Sequence, residues 1–250
     1  MTVFQHGLVE LATLDEGEGE PIVLVHGFGS SKEVNWVQPG WFATLQGAGR
    51  RVIALDNRGH GQSTKLYDPA DYHTAKMADD VRALLDDLKI ERADVMGYSM
   101  GARIAAFLAL EHPDRVRSLV IGGLGLHLID GVGLPESIAE ALEAPSLAEV
   151  ADAQGRMFRA FADQTHSDRR ALAACIRGSR QVMAREQAAS IRTPTLIAVG
   201  TKDPIAGSAE ALAAVMPNAK ALPIPNRDHM LAVGDKAYKA GVLAFLRENS

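Results

Sequence analysis

The 250-residue chain carries a single cysteine, Cys175, and only 5% aromatic residues. One cysteine excludes an intramolecular disulfide, a multi-cysteine zinc site and an iron–sulfur cluster held by this chain. Long apolar runs are missing too: stretches such as residues 104–110 fall far short of the ~20 residues that a membrane-crossing helix needs. Nor is charge of one sign concentrated. The 26 basic and 31 acidic residues give a net charge of −5 with the signs mixed along the chain, which leaves no electrostatic footprint for nucleic acid or an anionic membrane. The opening Met1-Thr2-Val3-Phe4-Gln5-His6-Gly7 lacks the basic start and apolar core of a secretory signal, so a cytoplasmic protein is expected. What is present, 47% hydrophobic and 23% charged residues, suits one α/β domain with a sizeable core and a small-molecule partner.

Short β-branched or apolar runs at 22–25, 52–55, 95–96, 119–121, 196–199 and 221–224 read as strands. Helical periodicity fills 72–88, 102–110, 209–215 and 236–246 between or after them. Strands alternating with helices imply a parallel sheet covered on both faces, because parallel neighbours need crossover connections. Residues 3–14 alternate more weakly and predict an antiparallel start. From Leu126 to Ser190 the alternation breaks. Helical patterns at 135–142, 147–161, 169–176 and 181–188 predict a helical insertion over 126–190, placed to act as a lid, with 1–125 and 191–250 forming the core.

The chemistry concentrates in a few loops. Gly97-Tyr98-Ser99-Met100-Gly101 follows one predicted strand and opens a predicted helix, the setting in which G-x-S-x-G exposes a serine on a strained turn. Alone, the motif is also compatible with an ordinary strand-to-helix turn. His26-Gly27-Phe28-Gly29 adds a second glycine loop after a strand, and there the amide of Phe28 would join that of Met100 as an oxyanion hole.

A serine nucleophile needs a base and the base needs an acid. Of eight histidines, His6, His73 and His112 read as solvated, His26 and His60 as loop scaffolding, and His127 and His166 belong in or beside the insertion. His229 occupies the loop after the last strand, where parallel-sheet proteins build their sites, and is the candidate base. Asp203, on a loop stiffened by Pro204, is preferred as the acid over Asp228, which reads as a turn cap, and Asp130. Arg58 is expected to tie loops together, Arg103 to ion-pair with a neighbouring element, and Cys175 to be a buried apolar residue without a role.

These four segments and a fifth, Asp56-Asn57-Arg58-Gly59-His60-Gly61-Gln62-Ser63, with the order Ser99, Asp203, His229, resemble the α/β-hydrolase superfamily over nearly the whole chain. The resemblance implies an α/β fold with a mostly parallel eight-stranded sheet flanked by helices and a small helical cap after the sixth strand. It also implies hydrolase chemistry without metal or organic cofactor. Relatives with a serine nucleophile include carboxylesterases, lactonases, perhydrolases of the haloperoxidase type and carbon–carbon hydrolases, whereas the serine argues against dehalogenase or epoxide hydrolase chemistry. The expected activity is cleavage of small to medium carboxylic esters through an acyl-enzyme. The alternatives are the other serine chemistries or a slow-turnover ligand sensor. Expected pocket residues are Trp36, Leu126, Met157, Phe158, Phe161 and Met230, with core packing as the alternative reading for Trp36 and for those of the insertion. Oligomeric state is not legible.

Overall fold

The structure, a computed structural model, describes residues 2–131 and 134–249. Positions 1, 132, 133 and 250, which fall within the expected core and insertion boundaries, lie outside the described residues. Eight strands run β1 (Thr2–His6), β2 (Val9–Glu16), β3 (Glu20–Val25), β4 (Arg50–Leu55), β5 (Ala93–Tyr98), β6 (Val116–Gly122), β7 (Thr195–Gly200) and β8 (Ala219–Ile224). They form one sheet in the order β1-β2-β4-β3-β5-β6-β7-β8. β2 pairs antiparallel with β1 and β4, and every other pairing is parallel.

Because successive strand side chains face opposite ways, the alternate residues of each strand feed two separate cores. Val23, Val25, Ile53, Leu55, Val95, Leu119 and Ile121 pack on one side with α2 (Thr74–Asp87) and α3 (Met100–Glu111). Ile22, Leu24, Val52, Ala54, Met96 and Val120 pack on the other with α1 (Trp41–Gln46) and α10 (Lys236–Glu248). Burial on both faces is why these strands read as continuous apolar runs. The strand order reverses around β3, which pairs with β4 on one side and β5 on the other. That crossing opens a crevice at the strand C-terminal ends, the usual ligand position in such sheets.

Between β6 and β7 the described residues form α4 (His127–Asp130), α5 (Ser137–Glu143), α6 (Ala153–Gln164), α7 (Arg169–Gly178) and α8 (Arg185–Ser190); α9 (Ala209–Ala213) follows β7. The single helix expected over 147–161 is broken, because the Asp152 side chain accepts the Gly155 N–H and starts α6 there. The helix expected from Gln181 begins only at Arg185. Gln181 Oε1 instead accepts the Thr74 amide and hydroxyl at 2.8 and 2.7 Å.

Two loops at the crevice are locked together. His26 Nε2 accepts the Asn57 N–H at 2.9 Å, so its Nδ1 carries the proton and donates to the Gly27 carbonyl at 2.7 Å. His60 donates from Nδ1 to the Arg58 carbonyl at 2.9 Å and its ring lies 5.2 Å from that of His26 and 5.8 Å from that of Phe28. Beneath them the fully buried Lys32 ammonium meets Asp56 at 2.8 Å. Arg58 makes a two-pronged contact with Asp80, 2.7 Å for each bond. His6, expected to be solvated, is half-buried with Nδ1 2.8 Å from the same Asp80, because the β1–β2 hairpin folds back onto α2.

Burial holds His26 below its ordinary range and pushes His60 from 6.5 down to about 3, with the neighbouring His26 acting in the same direction. A histidine depressed in the folded state is protonated only on unfolding between those two values, so the unfolded chain binds more protons there and stability falls as pH drops from 6.5 towards 3. His60→Phe is expected to remove up to one proton from that slope, about 1.4 kcal/mol per pH unit at most. Urea denaturation at pH 4, 5, 6 and 7 checks this, and an unchanged slope would show that His60 does not titrate on unfolding.

Candidate active site

β5 delivers Ser99 into the crevice on a turn that only small neighbours permit. Ser99 has φ 55° and ψ −113°, a conformation that L residues rarely adopt and that surrounding structure must enforce. The enforcement is steric. A Cβ on Gly97 would collide with the Gly101 carbonyl, and one on Gly101 with the Val25 carbonyl of β3. The start of α3 therefore lies flush against the neighbouring strand, and Ser99 N–H closes the turn by donating to the Gly122 carbonyl of β6 at 2.8 Å.

Two loops from distant parts of the chain meet Ser99. His229 Nε2 lies 3.0 Å from Ser99 Oγ, and its Nδ1 lies 2.7 Å from Asp203 Oδ2. A carboxylate only accepts, so Nδ1 bears the proton and Nε2 is left to accept from the serine hydroxyl. Asp203 is fixed in turn by the Ile205 and Ala206 amides, which donate to Oδ1 at 2.8 and 3.2 Å. Asp228 instead accepts the amides of Met230 and Leu231 and steadies the loop that carries His229. Sequence reasoning missed Tyr98, whose hydroxyl donates to the His229 carbonyl at 2.6 Å and whose ring lies 5.5 Å from the imidazole. A tyrosine beside an elbow serine carries no signal of such a contact across 131 positions. Asn35 was missed as well: its Oδ1 accepts the Gly27 N–H at 3.0 Å and anchors the loop before Phe28.

The Phe28 and Met100 amides have no acceptor among the described residues, and both residues line the cavity wall beside Ser99. Gly27 eases the approach of this loop, since a Cβ there would lie 3.2 Å from the Tyr98 carbonyl, a tight contact. Two unpaired N–H groups beside a serine hydroxyl are equipped to hold a negative oxygen. Cys175 stands nearby, its Sγ 3.7 Å from Met100 Sδ, but burial pushes its thiol up to about 12 and leaves it unreactive.

Of the expected pocket residues, Met157, Phe158, Phe161 and Met230 line a cavity that also touches Ser99 and His229. Trp36 does not. Its side chain is fully buried in the opposite core, edge-on to Trp41 with ring centroids 6.2 Å apart, because the helical turn Glu33–Val37 packs against the other face of the sheet. Leu126 also lies off the cavity wall. Its amide is held by the Ser208 carbonyl, and Leu124 and Leu134 line the wall instead. Arg103, expected in an ion pair, donates instead to four backbone carbonyls, those of Leu128, Gln181, His127 and Gly131, at 2.7–3.2 Å. It thus straps α4 and the 181 segment to α3. Burial pushes its guanidinium down to about 10, which leaves a cation at neutral pH.

Residues 20–127 match the family model described as alpha/beta hydrolase fold. Over 143 residues, 54% of this chain and 47% of the relative, the sequence is 38% identical to the 2-hydroxymuconate semialdehyde hydrolase of Pseudomonas putida, so the chain spans about half the length of that curated relative. Among solved structures, a hydrolase from Pseudomonas aeruginosa is 26% identical with a TM-score of 0.81, covering 98% of this chain and 97% of that one. The enol-lactonase from Burkholderia xenovorans is 25% identical with a TM-score of 0.83, covering 98% of this chain and all (100%) of that one. The sheet order, the serine elbow on β5 and these likenesses agree: the chain belongs to the α/β-hydrolase superfamily.

Proposed function

We propose that the protein is a serine hydrolase that cleaves small to medium carboxylic esters through an acyl-enzyme. The observation that carries this reading is the unbroken path from Ser99 Oγ to His229 Nε2 at 3.0 Å and from His229 Nδ1 to Asp203 at 2.7 Å, next to two unpaired amides. His229 takes the Ser99 proton as Oγ attacks the carbonyl, while Asp203 holds the imidazole in the required tautomer and stabilises its cation. The Phe28 and Met100 amides receive the oxyanion. His229 then returns the proton to the departing alkoxide, and the acyl group stays on Ser99. Water deprotonated by the same imidazole releases the acid and restores the serine. The strained backbone at Ser99 keeps the hydroxyl aimed before substrate arrives, so little reorganisation remains for the reaction itself.

The helices between β6 and β7 act as the cap in this reading, with Met157, Phe158 and Phe161 from α6 closing an apolar acyl chamber. A lactone is a second reading, favoured by the likeness to the enol-lactonase structure, and it needs no different machinery because the ring ester opens by the same attack.

Ser99→Ala is expected to lower kcat/KM for p-nitrophenyl esters by roughly 10³-fold or more with an unchanged circular dichroism spectrum. Across acyl chains from two to twelve carbons, wild-type turnover should peak at short or medium lengths. Equal turnover by identically prepared wild type and variant would rule out Ser99 as the nucleophile. Asp203→Asn keeps the shape but permits the wrong imidazole tautomer, and a kcat loss of about 10⁴-fold is expected. Steady-state kinetics that showed less than about a tenfold loss would remove Asp203 from the relay.

A further inference from the structure

Ser99 stands between two chambers of opposite character. One, with a cavity volume of about 170 Å³, is walled by Tyr98, Met157, Phe158 and Phe161 and has no arginine, lysine or carboxylate in its lining. The other, about 80 Å³, is lined by Arg103, Arg180 and His127 and no carboxylate. Of the buried arginines among the described residues, Arg50, Arg58 and Arg159 each meet a carboxylate, and Arg103 does not. Among the described residues, neither Arg103 nor Arg180 has a carboxylate within 4.0 Å.

The two guanidiniums differ in what they can offer a ligand. The Nη1 and Nη2 groups of Arg103 are committed to four carbonyls, so it supplies a fixed positive field more than a free fork. Arg180, half-buried just after α7, makes one hydrogen bond among the described residues, from Nη1 to the Leu134 carbonyl at 3.0 Å. Its remaining donors are uncommitted at the wall of the chamber. A buried cation without a counter-charge is costly, and Arg103 with the half-buried Arg180 beside it makes a positive wall that an anion would complete. A planar group with paired acceptors suits the guanidinium fork.

We propose that the substrate carries a carboxylate that seats on Arg180 in the smaller chamber, while its apolar portion occupies the larger one and its reacting carbonyl lies at Ser99. This deepens the hydrolase reading and rests on it for the identity of the reacting bond. The salt dependence follows from the same contact: added chloride should weaken binding of the anionic substrate and not that of a neutral one.

The test compares p-nitrophenyl hemiglutarate with p-nitrophenyl valerate, and 4-carboxyphenyl valerate with phenyl valerate, so that the anion is placed on either side of the ester. In at least one pair the wild type should favour the anionic member. Arg180→Met should then lower kcat/KM on that member by roughly 10- to 100-fold more than on its neutral partner. Arg180→Lys, which keeps the charge and loses the fork, should recover part of the difference. If neither pair shows an Arg180-dependent difference while esters are still hydrolysed, the anion site is overturned and the hydrolase reading stands. If no ester is hydrolysed, calorimetric titration of the Ser99→Ala protein with glutarate and with glutaramide decides separately. Saturable binding of glutarate alone, lost in Ser99→Ala/Arg180→Met, upholds the anion site without the hydrolase reading, and absence of glutarate binding overturns it.

Discussion

The contact on which the rest depends is between main chains: Gly101 of α3 against the Val25 carbonyl of β3, with Gly97 of β5 tucked beneath the same turn. No side chain can substitute for that fit, because any Cβ would push strand and helix apart. Closeness here brings the loop after β3 alongside the loop after β5, so that Phe28 and Ser99 share one wall. It also forces Ser99 into its rare backbone conformation, and the parallel pairing of β5 with β3 and β6 on both sides keeps that conformation from relaxing. Strain and reactivity are therefore two aspects of one packing constraint.

Electrostatics divides the crevice into regions with different work. Under the Phe28 loop lie two imidazoles kept neutral by burial, above a Lys32–Asp56 pair that satisfies its own charge internally. On the far side of Ser99 the balance is left open, with guanidiniums answered, among the described residues, by carbonyl dipoles. The same residue type thus serves as structural tie where it meets Asp80 or Asp94 and as an unfilled charge where it meets the cavity.

The sheet was legible because strands buried on both faces leave apolar runs between glycine-rich turns, and a run falls within every parallel strand. Ser99, Asp203 and His229 were legible because each follows a strand and is bracketed by residues with restricted or permissive backbones, such as Gly200 and Pro204. What stayed hidden was long-range. Tyr98 reaching the His229 carbonyl, Asn35 holding Gly27, and Arg103 collecting carbonyls from the insertion are side-chain-to-backbone bonds, and backbone groups leave no trace in residue identity. Trp36 misled for a related reason: following a cleft loop in sequence says nothing about which face of the sheet receives the ring. Gln181 shows the same limit within the helices, where a tertiary bond to Thr74 overrides a local periodicity.

Arg103 holds the inserted helices through main-chain oxygens alone, and the segment departs from and returns to adjacent strands, β6 and β7. An anchor that recognises peptide carbonyls is indifferent to the side chains of what it anchors. Any helical segment that ends at these two strands and turns its carbonyls towards α3 can be fastened in the same way. For this tie alone the helices that wall the cavity are interchangeable, whereas the Thr74–Gln181 bond demands its own side chains; the strained serine, its imidazole and its carboxylate stay on the other side of the seam.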